Sequence, residues 1–293
     1  MSEAIAYYPG CSGLGTSREY DASTRAVCAA VGLSLVDIPD WSCCGSSPAH
    51  TKDHVLSAAL SARNLQLVAD MGMRSAITPC PSCLTNLRTA NHRMETPATA
   101  EKVNKLLDVP YGGQVNAQSV LQALVETVGL DAIQAAVRTP LKGLKVACYY
   151  GCIMNRPPEL MAFDDCENPM AMDNILAAMG AEVVAFPLKV ECCGASYGIP
   201  RPDVVAKLSG KLLETAKLAG ADVIAVACPL CQMNLDLRQG QVNRAMGTSY
   251  KIPVPYFTQL MGVALNVSDE ELGFDQLCVD PRPVLSKALA GAD

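Results

Sequence analysis

Residues 222–231 read DVIAVACPLC, and residues 75–83 read SAITPCPSC. Each is a short apolar run of strand length that ends on Cys-Pro-x-Cys. Upstream of each lies Cys-Cys-Gly, at 43–45 and at 192–194. Upstream of that lies a Gly-Cys pair, ending at Cys11 (YPGC) and at Cys152 (YGC). The first cysteine and the Cys-Cys pair are separated by 31 residues in the first copy and 39 in the second; the pair and Cys-Pro-x-Cys are separated by 35 and 34. Three elements in the same order, twice, make an internal repeat, with offsets of 141, 149 and 148 residues between copies.

The text between the cysteines repeats as well. AIAYYP and KVACYY read as strands that run into the first cysteine, and LSLVDIP and EVVAFP as strands before Cys-Cys-Gly. SREYDASTRAVCAAVG and NPMAMDNILAAMGA read as helices ending at Gly, with Asn168 and Pro169 as N-cap and first helical residue of the second. VLSAALSARNLQLVADMG and VVAKLSGKLLETAKLAG read as the helices that lead to the third strands. Such alternation means βαβ units and a parallel sheet. In open α/β sheets functional groups gather at the strand carboxyl ends, where all three cysteine elements fall. The expected fold class is therefore α/β: two pseudo-symmetric, Rossmann-like domains with small parallel sheets, residues 1–140 and residues 141–293 with a tail. HRMETPATAEKVNKLL and SVLQALVETVGLDAIQAAV read as helices that close the first unit and connect it to the second. The tail beyond IPVPYFTQLMGVALNV reads as irregular and packed across the surface.

Composition narrows the function classes. Half of the 293 residues are apolar and 18% are charged, enough for a sizeable core. The net charge of −6 argues against a nucleic-acid partner, whose phosphates need clustered Lys and Arg. No apolar run is long enough to span a membrane, and the N-terminus has no basic-then-apolar leader, so a cytoplasmic protein is expected. Fourteen cysteines clustered as CC and CxxC in such a chain point to metal binding or redox chemistry rather than disulfides.

The ligand arithmetic favours iron–sulfur. Adjacent cysteines do not suit one tetrahedral zinc, which prefers C-x2-4-C pairs. On an extended segment they point to opposite sides, and so reach different irons of one cluster. Zinc at the CxxC pairs would leave Cys-Cys without a role. Five convergent thiolates exceed the four a plain cubane needs. The glycine after Cys-Cys allows a tight turn and a close approach to the cluster, and the proline in Cys-Pro-x-Cys restrains its loop. Cys28 and Cys148 read as small core residues, the latter because Tyr7 holds the matching place in the first half. Cys166 and Cys278 read as incidental. His50 and His54, at i and i+4, read as a solvated helix face rather than a metal pair, and His92 is a candidate proton donor near the first site. No phosphate loop or dinucleotide fingerprint is present, so a flavin or nicotinamide belongs on a partner.

Two copies of C-x(31–39)-CCG-x(33–34)-C-P-x-C, with YYGC, ECCGASYG, ACPLCQMNLDLRQ and IPVPYFTQLMGVALNV, resemble the cysteine-rich CCG domains of the HdrB subunit of heterodisulfide reductase over nearly the whole chain. The resemblance implies two non-cubane 4Fe-4S clusters at the strand carboxyl ends. Cys11, Cys43, Cys44, Cys80 and Cys83 would hold one; Cys152, Cys192, Cys193, Cys228 and Cys231 would hold the other. It also implies disulfide reduction, a ferredoxin-like HdrC subunit that feeds electrons, and a flavin-bearing HdrA subunit. Because cleaving a disulfide takes two electrons, both clusters are expected to act on one substrate, with Cys83 and Cys231 as the catalytic cysteines to test. Ile153 stands where methanogen members often carry His, and CCGSSPAH is nearer to bacterial relatives. The substrate implied is CoM-S-S-CoB or another thiol disulfide. Similar subunits relay electrons beside lactate, glycolate or succinate dehydrogenases, which is the alternative role.

Overall fold

A computed structural model of the chain describes residues 4–46 and 48–290. The first half holds β1 (Ile5–Tyr7), β2 (Leu35–Asp37), β3 (Ser75–Thr78) and β4 (Asn116–Ser119), all parallel, in the order β2-β1-β3-β4. The second holds β5 (Lys145–Tyr149), β6 (Glu182–Val183) and β7 (Val223–Val226), parallel, in the order β6-β5-β7. The two small parallel sheets are those the repeat implies.

Helices fill the crossovers. In the first half these are α1 (Gly10–Leu14), α2 (Arg18–Ala30), α3 (Pro48–Lys52), α4 (His54–Asp70), α5 (Pro81–Met94), α6 (Pro97–Asn104), α7 (Val120–Ala123) and α8 (Leu130–Ala136). The second half has α9 (Pro158–Met161), α10 (Ala171–Ala178), α11 (Pro202–Leu218), α12 (Pro229–Leu235), α13 (Gln239–Met246), α14 (Phe257–Ala264), α15 (Asp269–Leu272) and α16 (Arg282–Ala290). Among the described residues no helix is long and apolar enough to cross a membrane.

Strand β4 is an element the sequence reading lacks. Asn-Ala-Gln-Ser has poor strand propensity, yet each residue pairs with β3, Ser75 to Asn116 through Thr78 to Ser119. The second half repeats it in reduced form. Ile224 and Val226 donate their N–H to Pro253 O at 3.0 Å and Pro255 O at 3.1 Å, and Val226 bridges Tyr256. Prolines 253 and 255 have no N–H to return, so this segment is an edge. A helix follows in each half. Ser119 Oγ accepts from Gln122 N at 2.9 Å to start α7, and Gln259 Oε1 accepts from Tyr256 N at 2.8 Å at the start of α14. The repeat thus has four strand positions.

Two other expectations are corrected. Asn168 and Pro169 do not start α10. The Asp164 carboxylate accepts from Met170 N (2.8 Å) and Ala171 N (2.7 Å), and the Tyr150 hydroxyl from Met172 N (2.7 Å), so residues farther away supply the caps. The tail is not irregular. Ser268 Oγ accepts from Glu271 N at 3.3 Å to open α15, and buried Leu272, Phe274 and Leu285 anchor α15, the turn after it and α16.

Alternation along β1 sends its residues to two cores, because successive side chains face opposite sides of a sheet. Ala6 and Tyr8 join Ala76, Leu84 and Leu87 under α4 and α5. Ile5 and Tyr7 join a larger core that continues through Val146, Tyr149, Val226 and Phe257 of the second half. The halves meet as a pseudo-twofold pair: α2 packs on α14 and α15, while α10 packs on α7 and α8. Tyr20 stacks on Tyr256 across this join, and Ser23 Oγ meets Thr258 Oγ1 at 2.7 Å.

Candidate metal centre

Each first cysteine follows a strand and a glycine whose backbone is left-handed. Gly10 has φ +67° and Gly151 φ +78°. A Cβ there would lie 3.0 Å from Cys83 Sγ and 2.8 Å from Cys231 Sγ, so these glycines let the chain cross directly over the last cysteine. The glycines after Cys-Cys, Gly45 and Gly194, also have positive φ, as a tight turn needs. A Cβ there would meet Ser57 on α4 and Val205 on α11, and the Gly194 N–H itself lies 3.3 Å from Cys192 Sγ.

Adjacent cysteines separate as extended backbone dictates. Cys44 and Cys193 are buried; Cys43 is exposed and Cys192 half-buried. Cys-Pro-x-Cys opens a helix in each half, with Cys80 and Cys228 as N-cap and Pro81 and Pro229 as first residue. Cys83 and Cys231 sit at the third helical position, 4% exposed. The bonds with Cys44 and Cys80, then burial, push the Cys83 thiol up, and those with Cys193 and Cys228, then burial, do the same to Cys231.

The sulfurs converge in two sets. Cys44 and Cys83 are 3.4 Å apart, and Cys193 and Cys231 3.7 Å. Cys83 also interacts with Cys80, and Cys11 feels the charges of Cys43, Cys80 and Cys44. In the second set Cys231 interacts with Cys228, and Cys152 with Cys192, Cys193 and Cys228. The hydrogen bond with Cys83 draws Cys44 down to about 7, and that with Cys231 draws Cys193 down to about 6. Burial, then the charge of Cys192, pushes Cys152 up to about 12. All ten cysteines of the sequence expectation are thus gathered, five in each half.

A set of supporting hydrogen bonds is duplicated with them. Tyr8 Oη donates to Ser42 O at 2.6 Å and Tyr149 Oη to Glu191 O at 2.7 Å, each the carbonyl just before Cys-Cys. Ser61 Oγ donates to Cys44 O at 2.7 Å and Ser209 Oγ to Cys193 O at 3.0 Å. Asn86 and Asn234 reach the sulfurs of Cys44 and Cys193. None of these residues belongs to the Cys-Cys-Gly or Cys-Pro-x-Cys motif. The signal was the repeat itself: an offset of 141 pairs Tyr8 with Tyr149, and 148 pairs Ser61 with Ser209 and Asn86 with Asn234. In the second half the Lys189–Asp173 ion pair, 2.6 Å and buried, adds a further brace. Lys189 O accepts from Tyr150 N and Gly151 N beside Cys152.

The remaining candidates lie elsewhere. Cys28 and Cys148 are fully buried core residues, as expected. Cys166 is half-buried and Cys278 exposed, in loops outside both sets. His50 and His54 fall on separate helices, α3 and α4, divided by the Asp53 cap, so they do not share one helix face. His54 meets Arg93 at 3.3 Å. The His92 side chain is 72% exposed and faces Glu95, which gives it no place beside the thiols.

Among the described residues no three His, Cys, Asp or Glu side chains are arranged to hold a single metal ion. A zinc needs four donors at one point. Thiolates spread over several irons do not, so an all-cysteine set of five fits a cluster better than a lone ion. Tyr20, in the join, donates its hydroxyl to Ala227 O at 3.3 Å, next to Cys228.

Paired parallel sheets with a duplicated cysteine constellation define an iron–sulfur type of α/β protein, and the comparisons agree. Residues 5–88 and 146–236 each match the cysteine-rich (CCG) domain, and the chain belongs to that family. It is 32% identical to the 8-methylmenaquinol:fumarate reductase membrane anchor subunit of Wolinella succinogenes, over 96% of this chain and 98% of that one. It is 30% identical to the HdrB subunit of the ferredoxin/F420H2-dependent CoB-CoM heterodisulfide reductase of Methanosarcina acetivorans, over 97% and 96%. The resemblance to the HdrB subunit is therefore right. A crystal structure of a hypothetical protein from Helicobacter pylori shares the fold, with TM-score 0.77 and 12% identity, over 96% of this chain; the chain spans 52% of that structure.

Proposed function

We propose that this chain is the iron–sulfur catalytic subunit of a heterodisulfide reductase-like complex. In this reading it reduces a disulfide, CoM-S-S-CoB or another thiol disulfide, at two non-cubane 4Fe-4S clusters. Cys11, Cys43, Cys44, Cys80 and Cys83 hold one, and Cys152, Cys192, Cys193, Cys228 and Cys231 the other, in units divided near residue 140. The observation that carries the reading is the pair of five-thiol sets, each braced by the same tyrosine, serine and asparagine. When bound, the clusters supply electrons singly and iron as a Lewis acid for departing thiolates.

The chain's own residues supply position. Cleaving the substrate consumes two electrons and two protons and yields two thiols. Tyr20 of the first half, bonded to Ala227 O beside Cys228 of the second, supports one site shared by both halves. The exposed Cys11 and Cys43 and the half-buried Cys152 and Cys192 face incoming groups, while Cys83 and Cys231 hold from beneath. A ferredoxin-like HdrC subunit supplies the electrons and a flavin-bearing HdrA subunit lies upstream, since no nucleotide fingerprint occurs in this sequence.

Anaerobic iron and sulfide assays test the reading: about eight irons per chain are expected, and stoichiometric zinc with little iron sinks it. Cys83→Ser and Cys231→Ser, each with its other cluster verified by EPR, are both expected to abolish disulfide reduction. Substantial turnover in either assigns catalysis to one cluster.

The relay role is the second reading, favoured by the Wolinella relative, whose name places it in a fumarate reductase. In that case the chain passes electrons between a carrier and a succinate- or fumarate-type flavoprotein. Reduced chain that is reoxidised by such a flavoprotein, but by no disulfide, selects it.

A further inference from the structure

Asn86 and Asn234 stand three residues past Cys83 and Cys231, at the repeat offset of 148. Asn234 is 1% exposed. Its Nδ2 lies 3.4 Å from Cys193 Sγ, 3.4 Å from Cys193 O and 3.0 Å from Ala195 O. The two carbonyls decide which end of the amide faces the sulfur, because an amide oxygen there would meet only acceptors. Asn86 is half-buried, with Nδ2 3.8 Å from Cys44 Sγ and 3.0 Å from Ser82 O, a carbonyl of its own helix. Both amides therefore aim a donor at the same member of the Cys-Cys pair, the buried one.

We propose that Asn234 and Asn86 are positioning residues that each donate an N–H to one cluster thiolate, Cys193 and Cys44, and thereby raise the reduction potential of the cluster that thiolate holds. This rests on the cluster reading above. Reduction adds one electron and makes or breaks no bond; the added charge falls partly on sulfur. A donor to that sulfur is bound more strongly in the reduced state, so reduction becomes easier. The shorter contact at Asn234 gives the second cluster the larger rise. Ser209 provides the contrast, because it holds the Cys193 carbonyl at 3.0 Å without being a donor to the sulfur.

The test uses the full chain, purified anaerobically with its iron, in four forms: native, Asn234→Ala, Asn86→Ala and Ser209→Ala. Iron and sulfide are assayed first, and EPR-monitored redox titrations follow. In each asparagine variant one midpoint potential is expected to fall while the other stays. Ser209→Ala is expected to leave both where they were. Asn86→Ala is decisive, since its other bond, to Ser82 O, stays within its own helix. With iron intact and no fall in potential, or with iron lost, that variant overturns the inference. So does a Ser209→Ala shift as large as that of Asn234→Ala. A native chain without iron instead overturns the cluster reading beneath it.

Discussion

Tyr20 and Tyr256 stack face to face, ring centroids 4.0 Å apart and planes 5° from parallel, and each half of the chain supplies one ring. Both rings are buried. Tyr20 leaves α2 of the first half and bonds to the carbonyl before Cys228 of the second. Tyr256 caps α14 and bridges the end of β7. The stack therefore ties the carboxyl end of the second sheet to a first-half helix.

Tyr20→Ala is expected to cost about 3–5 kcal/mol, the range for emptying a buried aromatic site. Tyr20→Phe keeps the stack and loses only the bond to Ala227 O, at about 1 kcal/mol. Urea unfolding of both variants checks the ranking; equal losses would mean that the hydroxyl, not the ring, carries the join.

Gly151→Ala places a Cβ 2.8 Å from Cys231 Sγ on a backbone with φ +78°. The thiol has to shift, and the second set is expected to lose its metal while the first keeps it. Iron is expected to fall from about eight to about four per chain, with one EPR signal left. Full iron content in this variant counts against the second five-cysteine ligand set.

The Lys189–Asp173 pair is buried at both ends, and Asp173 also accepts from Tyr150 Oη at 2.6 Å. Replacing Asp173 by Asn leaves the buried ammonium with neutral acceptors only, such as Pro169 O at 2.9 Å, and no compensating charge, which costs about 3–5 kcal/mol. Chemical denaturation should show that loss. A cost near zero would mean that Lys189 finds water when its partner goes.

Glu19 is buried at the join, and its carboxyl is raised above the usual range by burial and, to a lesser degree, by the charge of Asp236. Such a group costs the fold nothing while folded and unfolded states are both protonated. The cost grows as pH rises through the unfolded and then the folded value. Glu19→Gln, always neutral, is expected to melt higher than the native chain at pH 7, with the gain fading toward pH ~4. Melting curves across that range check it, and a gain that grows on acidification contradicts it.

The cysteine set, the repeat and most strand positions were legible along the chain, because each rests on covalent spacing or on local periodicity. DVIAVACPLC shows its strand and its ligands within ten residues. Asn116–Ser119 did not, because nothing in NAQS prefers a strand and only pairing with β3 makes it one. Asn168 and Pro169 looked like a helix start, but the Asp164 carboxylate supplies the cap. Asn86 and Asn234 were visible only as repeated letters, since a donor's target depends on what folds beside it.

By itself the sequence determined that ten cysteines form two like sets on α/β units, because spacing along the chain survives any packing. Tertiary structure decided the rest. It set Gly10 against Cys83 and Gly151 against Cys231, and it brought Tyr20 to Tyr256 across 236 residues of chain. Those contacts are non-local: they exist only once each sheet has formed and the helices of the two halves, α2 with α14 and α15 and α10 with α7 and α8, bury their facing sides against one another.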